Sequence, residues 1–112
     1  METIASGAIF GTATRTATLL LISMLGETHI GEIAVILGRS RSRIKDAVDG
    51  LEREGVIVGA LEGTARRLRL NPRYVAAQEL ARLLNKLAIN DVDLQKHLAS
   101  VRRRPRRAGK TI

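Results

Sequence analysis

Two helical patterns joined by a tight glycine turn constrain the fold of this chain more than any other feature of its sequence. From Gly31 to Leu37, apolar residues recur at spacings of three and four, and Gly38 closes the pattern. The segment that follows, Gly38 to Ile57, is GRSRSRIKDAVDGLEREGVI, and its Ser40 can cap the start of another helix. The sequence therefore predicts a short helix, a turn and a longer helix in close succession.

The longer helix has one apolar and one polar face. When each residue is rotated by about 100°, its apolar side chains fall within an arc of about 100°. That apolar stripe consists of Ile44, Ala47, Val48 and Leu51. The opposite face carries Ser42, Asp46, Asp49 and Arg53, with Arg43 and Lys45 on its two flanks. The pattern predicts that this helix buries one side and presents charge on the other.

Cations are concentrated at the start of this helix, where the backbone disfavours them. Arg41, Arg43 and Lys45 occupy its first turns, and Arg39 precedes them. Free backbone N–H groups make a helix start partially positive, so each cation there costs a few tenths of a kcal/mol, roughly. A negatively charged partner would outweigh that cost, and we expect these side chains to face phosphates and base edges. A solvated polar face is the alternative interpretation.

Another helical pattern precedes these two. The segment TRTATLLLISML, from Thr14 to Leu25, repeats the spacing of three and four, and Gly26 provides a stop signal. Three helices are therefore expected before residue 55.

Two strand patterns follow the helices. The segments VIVGA and ARRLRL are separated by four residues, which predicts a hairpin with its turn near Glu62 and Gly63. Alternation in the second strand separates apolar from cationic side chains, with Leu68 and Leu70 on one face and Arg67 and Arg69 on the other. The hairpin is expected to present one apolar and one cationic face.

A leucine-rich helix is predicted after the hairpin. Asn71 as the N-cap and Pro72 at the first helical position favour a helix start, and the apolar stripe extends to Ala88. Asn90 and Asp91 interrupt the pattern, and a weaker helix is expected from residue 92 to residue 101. Because three earlier helices already supply a core, we expect the leucine stripe to form a dimer interface, although packing against the chain's own core is the alternative. The interface residues are Ala76, Leu80, Leu83, Leu84 and Leu87.

Charge and composition narrow the class of partner. The net charge is +8, and the aromatic residues are Phe10 and Tyr74 alone. Folds that hold single strands stack bases on exposed rings, so a double-stranded nucleic acid is the expected partner. Residues 102–112 are predicted to be a disordered basic tail, which tracks phosphates, contacts RNA or an acidic protein, or has no specific ligand. The tail cations are Arg102, Arg103, Arg104, Arg106, Arg107 and Lys110.

Enzyme chemistry is not expected. The chain contains no cysteine, and His29 and His97 have no carboxylate at ligand spacing, so no metal site or other cofactor is predicted. Ser40 and Ser42 have no nearby histidine, which leaves no catalytic residue to propose. The longest apolar run is shorter than the roughly 18 to 20 residues of a membrane span, and we expect a cytoplasmic protein without membrane contact.

Taken with these patterns, the segment from Ile9 to Ile57 and the sequence LRLNPRY resemble the ArsR-like and MarR-like winged helix-turn-helix regulators of bacteria and archaea. The resemblance extends to about Leu87. It implies DNA contacts through the third helix and through the hairpin, or wing, and dimerisation through the terminal helices. The implied contacts are Ser40, Arg41, Ser42, Lys45, Asp46 and Asp49 in the helix, and Arg66, Arg67 and Arg69 in the wing. Asp46 departs from the family pattern, and its carboxylate could accept a hydrogen bond from cytosine N4.

The predicted fold is mainly α with a small β component (α+β), with a three-helix core, a two-stranded wing and a C-terminal dimerisation helix. Residues 1–13 form an N-terminal segment, for which a helix is one interpretation, and residues 14–71 form the winged helix-turn-helix. Residues 72–101 form the helical dimerisation segment, and residues 102–112 form the basic tail. The expected function is sequence-specific binding of duplex DNA by a homodimeric transcription regulator, a repressor by preference. The alternatives are a protein-binding module, such as an antitoxin or adaptor, and a non-specific DNA-coating protein.

Overall fold

The computed structural model describes residues 7–103, and the side chains of residues 7–101. Within that range the chain forms five helices and a two-stranded antiparallel sheet, so the predicted mixture of mainly α with some β structure is confirmed. The elements are α1 (Ala13–Leu25), α2 (Ile30–Leu37), α3 (Arg41–Arg53), β1 (Ile57–Glu62), β2 (Ala65–Leu70), α4 (Ala77–Ile89) and α5 (Val92–Arg103).

Local capping explains where α2 ends and α3 begins. Gly38 adopts the left-handed conformation, with φ 65° and ψ 38°, which a residue without a Cβ tolerates at a helix end. Ser40 Oγ then accepts a hydrogen bond from Arg43 N at 3.2 Å, as the sequence predicted for an N-cap. The turn and the start of α3 are therefore specified by adjacent residues.

The predicted hairpin is confirmed, and it has an additional neighbour. β1 and β2 pair in register from Ile57 opposite Leu70 to Glu62 opposite Ala65, which places the turn at residues 63 and 64. Thr28, in the link between α1 and α2, exchanges two backbone hydrogen bonds with Leu68, of 3.1 and 2.8 Å. The base of the hairpin is thus attached to the helical layer.

The core is centred on α1, which packs against α3, α4 and β2. Four consecutive residues of α1, Leu19 to Ile22, are at most 1% exposed, so this part of the helix is covered on every side. Truncating a leucine in such a site to alanine typically costs about 2 to 5 kcal/mol. The core side chains of the neighbouring elements include Ile33, Ile44, Val48, Leu51, Ile57, Leu68, Leu84, Leu94 and Leu98.

The helix start predicted at Asn71 and Pro72 is wrong. The Asn71 side chain donates to Gly55 O at 2.9 Å and accepts from Arg73 N at 2.9 Å, which fixes a turn at the end of β2. A second turn follows, and α4 begins only at Ala77. An asparagine followed by a proline suits either a cap or a turn, and here the tertiary contact to Gly55 selects the turn.

The N-terminal segment is not helical over the residues that the structure describes. Residues 7–12 form turns, and α1 begins at Ala13 after the N-cap Thr12. Phe10 N donates to Thr16 Oγ1 at 3.0 Å and holds this segment against α1.

The C-terminal helices close the core. Leu84 of α4 is fully buried within the chain, Leu80 and Leu87 are partly buried against the core, and Leu83 is 43% exposed. Leu84 therefore has no surface left for a second chain, and Leu83 is the most exposed leucine of the predicted dimer stripe. The weaker helix predicted from residue 92 to residue 101 is confirmed as α5, which packs against α2. No helix in the described part of the chain is long and apolar enough to cross a membrane.

Candidate nucleic-acid interface

The polar face of α3 brings most of the predicted contact residues together. The apolar side chains of α3 are buried. The polar side chains at the start of the helix and in its first turns point away from the core. The exposed members are Ser40, Arg41, Ser42, Arg43, Lys45 and Asp46, with Arg39 and Asp49 partly buried at the edges. The amphipathic pattern therefore correctly predicted which face of the helix is free.

Ser40 and Ser42 differ in what their hydroxyls can do. Ser40 Oγ is occupied as the acceptor of the cap hydrogen bond from Arg43 N, and it lies 3.3 Å from Ser42 Oγ. Ser42 is exposed on the middle of the polar face, so its hydroxyl remains able to donate or accept. Of the two serines, Ser42 is the better candidate for a base contact.

Asp49 is paired within α3. Lys45 Nζ donates to Asp49 Oδ2 at 2.8 Å, one helical turn away. This hydrogen bond lowers the pKa of Asp49 below the usual aspartate value, with smaller contributions from the charges of Lys45, Arg66 and Arg53. Asp49 and Lys45, both predicted to contact DNA, thus neutralise each other in the free protein.

Arg66 joins the hairpin to α3. Its guanidinium forms an ion pair with Glu52 and lies 4.0 Å from Asp49, and the hydrogen bond to Glu52 is the main reason that the pKa of Arg66 is raised. The Glu52 carboxylate passes over Gly59 of β1, where a Cβ would lie 2.6 Å from Glu52 Oε2. Arg66 is therefore positioned to hold the hairpin against α3, a role that the strand pattern alone did not indicate.

The two remaining hairpin arginines lie on the face opposite the core, as predicted. Arg67 contacts Glu62 Oε1 at 3.0 Å and Glu27 Oε1 at 3.9 Å. Arg69 is exposed and forms no ion pair within residues 7–101. Of the three predicted wing contacts, Arg69 is thus the one whose charge is fully available.

Arg41 reaches towards the start of α2. A Cβ on Gly31 would lie 2.8 Å from Arg41 Nη1, so the glycine leaves room for the guanidinium. Both residues line an open concavity of about 290 Å³ between α2 and the tip of the hairpin. The other residues that line it are His29, Ile30, Thr64, Ala65 and Arg66.

Sequence reasoning missed Arg15, which belongs to α1 but lies against α3. A Cβ on Gly50 would meet Arg15 Nη2 at 2.2 Å, so this glycine within α3 accommodates a guanidinium. Glycine inside a helix costs about 1 kcal/mol relative to alanine, so Gly50 is the sequence signal that could have indicated this close contact. Nearby, Arg39 Nη1 donates to Thr14 Oγ1.

The cations therefore lie along both flanks of α3. Arg41 and Lys45 lie on the flank nearer the hairpin. Arg43 lies on the opposite flank, nearer α1, and is rotated about 160° to 200° around the helix axis from each of them. Between the flanks, the middle of the face offers hydroxyl and carboxylate oxygens, chiefly from Ser42 and Asp46. Such a surface can attract a polyanion at its edges and form directional hydrogen bonds at its centre.

The predicted tail contacts are not part of this geometry. Arg102 and Arg103 fall in the last turn of α5, but their side chains lie outside the described residues, as do Arg104, Arg106, Arg107 and Lys110. In the described part of the chain, no three His, Asp or Glu side chains form a group that could hold a metal ion.

Comparison with known proteins gives no family assignment. No protein-family model matches the chain, and searches of curated proteins and of solved structures give no significant match.

Proposed function

We propose that this chain is a winged helix-turn-helix protein that binds duplex DNA in a sequence-specific manner, as a dimer that regulates transcription by repression. The observation that carries the proposal is the exposed face of α3, with cations on both flanks and polar oxygens at its centre. The order of the elements and the attachment of the hairpin to Thr28 support the winged helix-turn-helix assignment. The repressor role rests on the sequence resemblance.

The dimensions and charges of α3 suit the major groove. A helix with its side chains is about 10 to 12 Å across, and the groove is about 12 Å wide. A helix lying in it has a phosphate backbone on each side and base edges beneath. Arg41 and Arg43 would then lie near phosphates, and Ser42 and Asp46 would face the bases. In this arrangement Asp46 prefers a cytosine, whose N4 amino group donates.

Dimerisation is assigned to α4. Leu83 is the exposed leucine on this helix, and Val75, in the turns before it, is 95% exposed. Two copies related by a two-fold axis would present two α3 helices to half-sites about one helical turn apart. The operator would accordingly be a pseudo-palindrome.

The test is a titration of labelled duplex DNA at several salt concentrations, with an unstructured peptide of equal net charge as the comparison. We expect the chain to bind more tightly than the peptide, and the logarithm of the affinity to fall by about 0.9 per phosphate contact for each tenfold rise in salt. Affinity no better than that of the peptide, or affinity indifferent to salt, would overturn the proposal.

A protein-binding module is the second candidate function. It is favoured by the pairs Lys45–Asp49 and Arg66–Glu52, which cancel part of the positive charge on and beside α3. A partner that co-purifies with the chain after nuclease treatment, and that competes with duplex DNA for the α3 face, would support this function instead.

A further inference from the structure

An open concavity of about 590 Å³ lies between the first turn of α1 and the flank of α3 that faces away from the hairpin. We refer to it as the α1 pocket. Three arginines and a single acidic residue, Asp46, belong to its lining. The lining residues are Thr12, Ala13, Thr14, Arg15, Arg39, Arg43, Asp46 and Ala47.

The arginines of the α1 pocket come from three different parts of the fold. Arg39 lies in the turn between α2 and α3 and is oriented by its hydrogen bond to Thr14 Oγ1. Arg15 extends from α1 across Gly50, and Arg43 projects from α3 into solvent. Their convergence depends on the tertiary structure, because Arg15 is far in sequence from the other two.

The positive charge of the α1 pocket is only partly offset within the described chain, because one acidic residue, Asp46, faces three arginines. None of these three arginines forms an ion pair within residues 7–101. The backbone N–H groups of Ala13 and Thr14, at the start of α1, also form no hydrogen bond there. Clustered like charges repel one another unless an anion lies between them, and the planar guanidinium fork suits two oxygens of a phosphate.

We propose that the α1 pocket binds a phosphate group, and that in the complex with DNA this phosphate belongs to the strand opposite the one contacted by the hairpin. The assignment of the strand rests on the proposed function. A helix in the major groove is flanked by the backbones of both strands. Because the α1 pocket and the hairpin lie on opposite flanks of α3, one contact falls on each strand. The protein then contacts the phosphate backbones on both sides of the groove.

The first arm of the test uses inorganic phosphate and the full-length chain. Phosphate should shift the amide NMR signals of Ala13 and Thr14, and the shifts should be lost in the double variant Arg15→Gln/Arg39→Gln. Arg43→Gln, an exposed position where folding is not at risk, should weaken the same shifts. Phosphate that leaves these amides unmoved, or moves them equally in all variants, would overturn the proposal.

The second arm uses duplex DNA. Arg15→Gln/Arg39→Gln should lower the salt slope of binding by about 0.9, by the same amount for different duplex sequences. The double variant Arg82→Gln/Lys96→Gln, which removes two exposed charges from α4 and α5, is the matched control and should leave the slope close to that of the unmodified chain. Equal slopes for the two double variants would overturn the strand assignment while duplex binding itself still stands.

The two arms separate this inference from the proposed function. A chain that binds no duplex, but whose Ala13 and Thr14 amides respond to phosphate through Arg15 and Arg39, would refute DNA binding and retain the pocket as a site for free phosphate. If the chain binds duplex normally but shows neither the phosphate-induced amide shifts nor the change in salt slope, the phosphate site is refuted and the proposed function stands.

Discussion

Lys45 Nζ and Asp49 Oδ2 lie 2.8 Å apart on the exposed face of α3, in a hydrogen-bonded ion pair one turn along the helix. The pair holds a cation of the candidate interface against a carboxylate of the same helix. A DNA phosphate near Lys45 must therefore compete with Asp49 for the ammonium group. Under the proposed function, the pair would moderate non-specific attraction to DNA and leave the other cations of the face to position the backbone.

Asp49→Asn should tighten binding to every duplex sequence, because it removes a repulsive charge and releases Lys45. We expect the salt slope to steepen by up to about 0.9, the contribution of one additional phosphate contact. Titration at three salt concentrations measures it. Glu79→Gln, with the same change of charge on α4, is the control, and equal effects of the two substitutions would refute the competition.

Lys45→Met should raise the pKa of Asp49, because the hydrogen bond from Lys45 is the main cause of its lowered value. Because the pKa of Asp49 is lower in the folded state, its ionised form stabilises the native state at pH values above the unfolded-state pKa of about 3.9. This contribution is lost as the pH falls towards the lower folded-state pKa. Lys45→Met should therefore flatten the stability profile in that acidic window. A carboxyl NMR titration measures the midpoint, and an unchanged midpoint contradicts the assignment.

Substitution of Arg66 should affect stability, whereas substitution of Arg69 should affect DNA binding. Arg66→Gln removes the link between β2 and Glu52 and should lower the free energy of unfolding by about 0.5 to 1 kcal/mol. Arg69→Gln should leave stability unchanged and weaken binding to all duplexes alike, since its charge is free to contact a phosphate. A double-mutant cycle of Arg66→Gln with Glu52→Gln isolates the pair. Coupling near zero, with equal loss of DNA affinity in both arginine variants, would contradict this division.

Two neighbouring leucines of α4 should behave differently. Leu84→Ala opens a cavity in the core and should cost about 2 to 5 kcal/mol of stability, whereas Leu83→Ala should change stability by less than about 0.5 kcal/mol. If α4 forms the dimer interface, Leu83→Ala should raise the dissociation constant of the dimer, as measured by sedimentation equilibrium. A dimer unaffected by Leu83→Ala would remove this helix face from the interface.

Features set by neighbouring residues were predictable from the sequence. The turn at Gly38, the cap at Ser40 and the free face of α3 depend on local conformation and on periodicity, and the structure agrees with each. Leu84 was assigned to a dimer because periodicity identifies an apolar face but not the surface that covers it. The α1 pocket and the pair Arg66–Glu52 join distant segments, so no local pattern could reveal them.

Asn71 shows why one helix boundary was wrong. Its side chain can cap a helix or close a turn with similar local geometry, and the following proline is compatible with both. The acceptor that decides between them, Gly55 O, is sixteen residues earlier in the chain. Gly50 is the converse case, because a glycine inside a helix can indicate a close neighbour but does not identify that neighbour as Arg15.

Selection of duplexes from a random DNA pool by the full-length chain tests the central claim most directly. A sequence-specific dimer that reads bases through α3 predicts enrichment of an inverted repeat whose half-sites are about 10 to 10.5 base pairs apart. Asp46→Asn should change the preferred base at one position of each half-site, because the proposed docking places that side chain against the bases. A pool that remains unenriched after repeated rounds, in spite of salt-dependent binding, would contradict the claim and identify a protein that coats DNA without reading it.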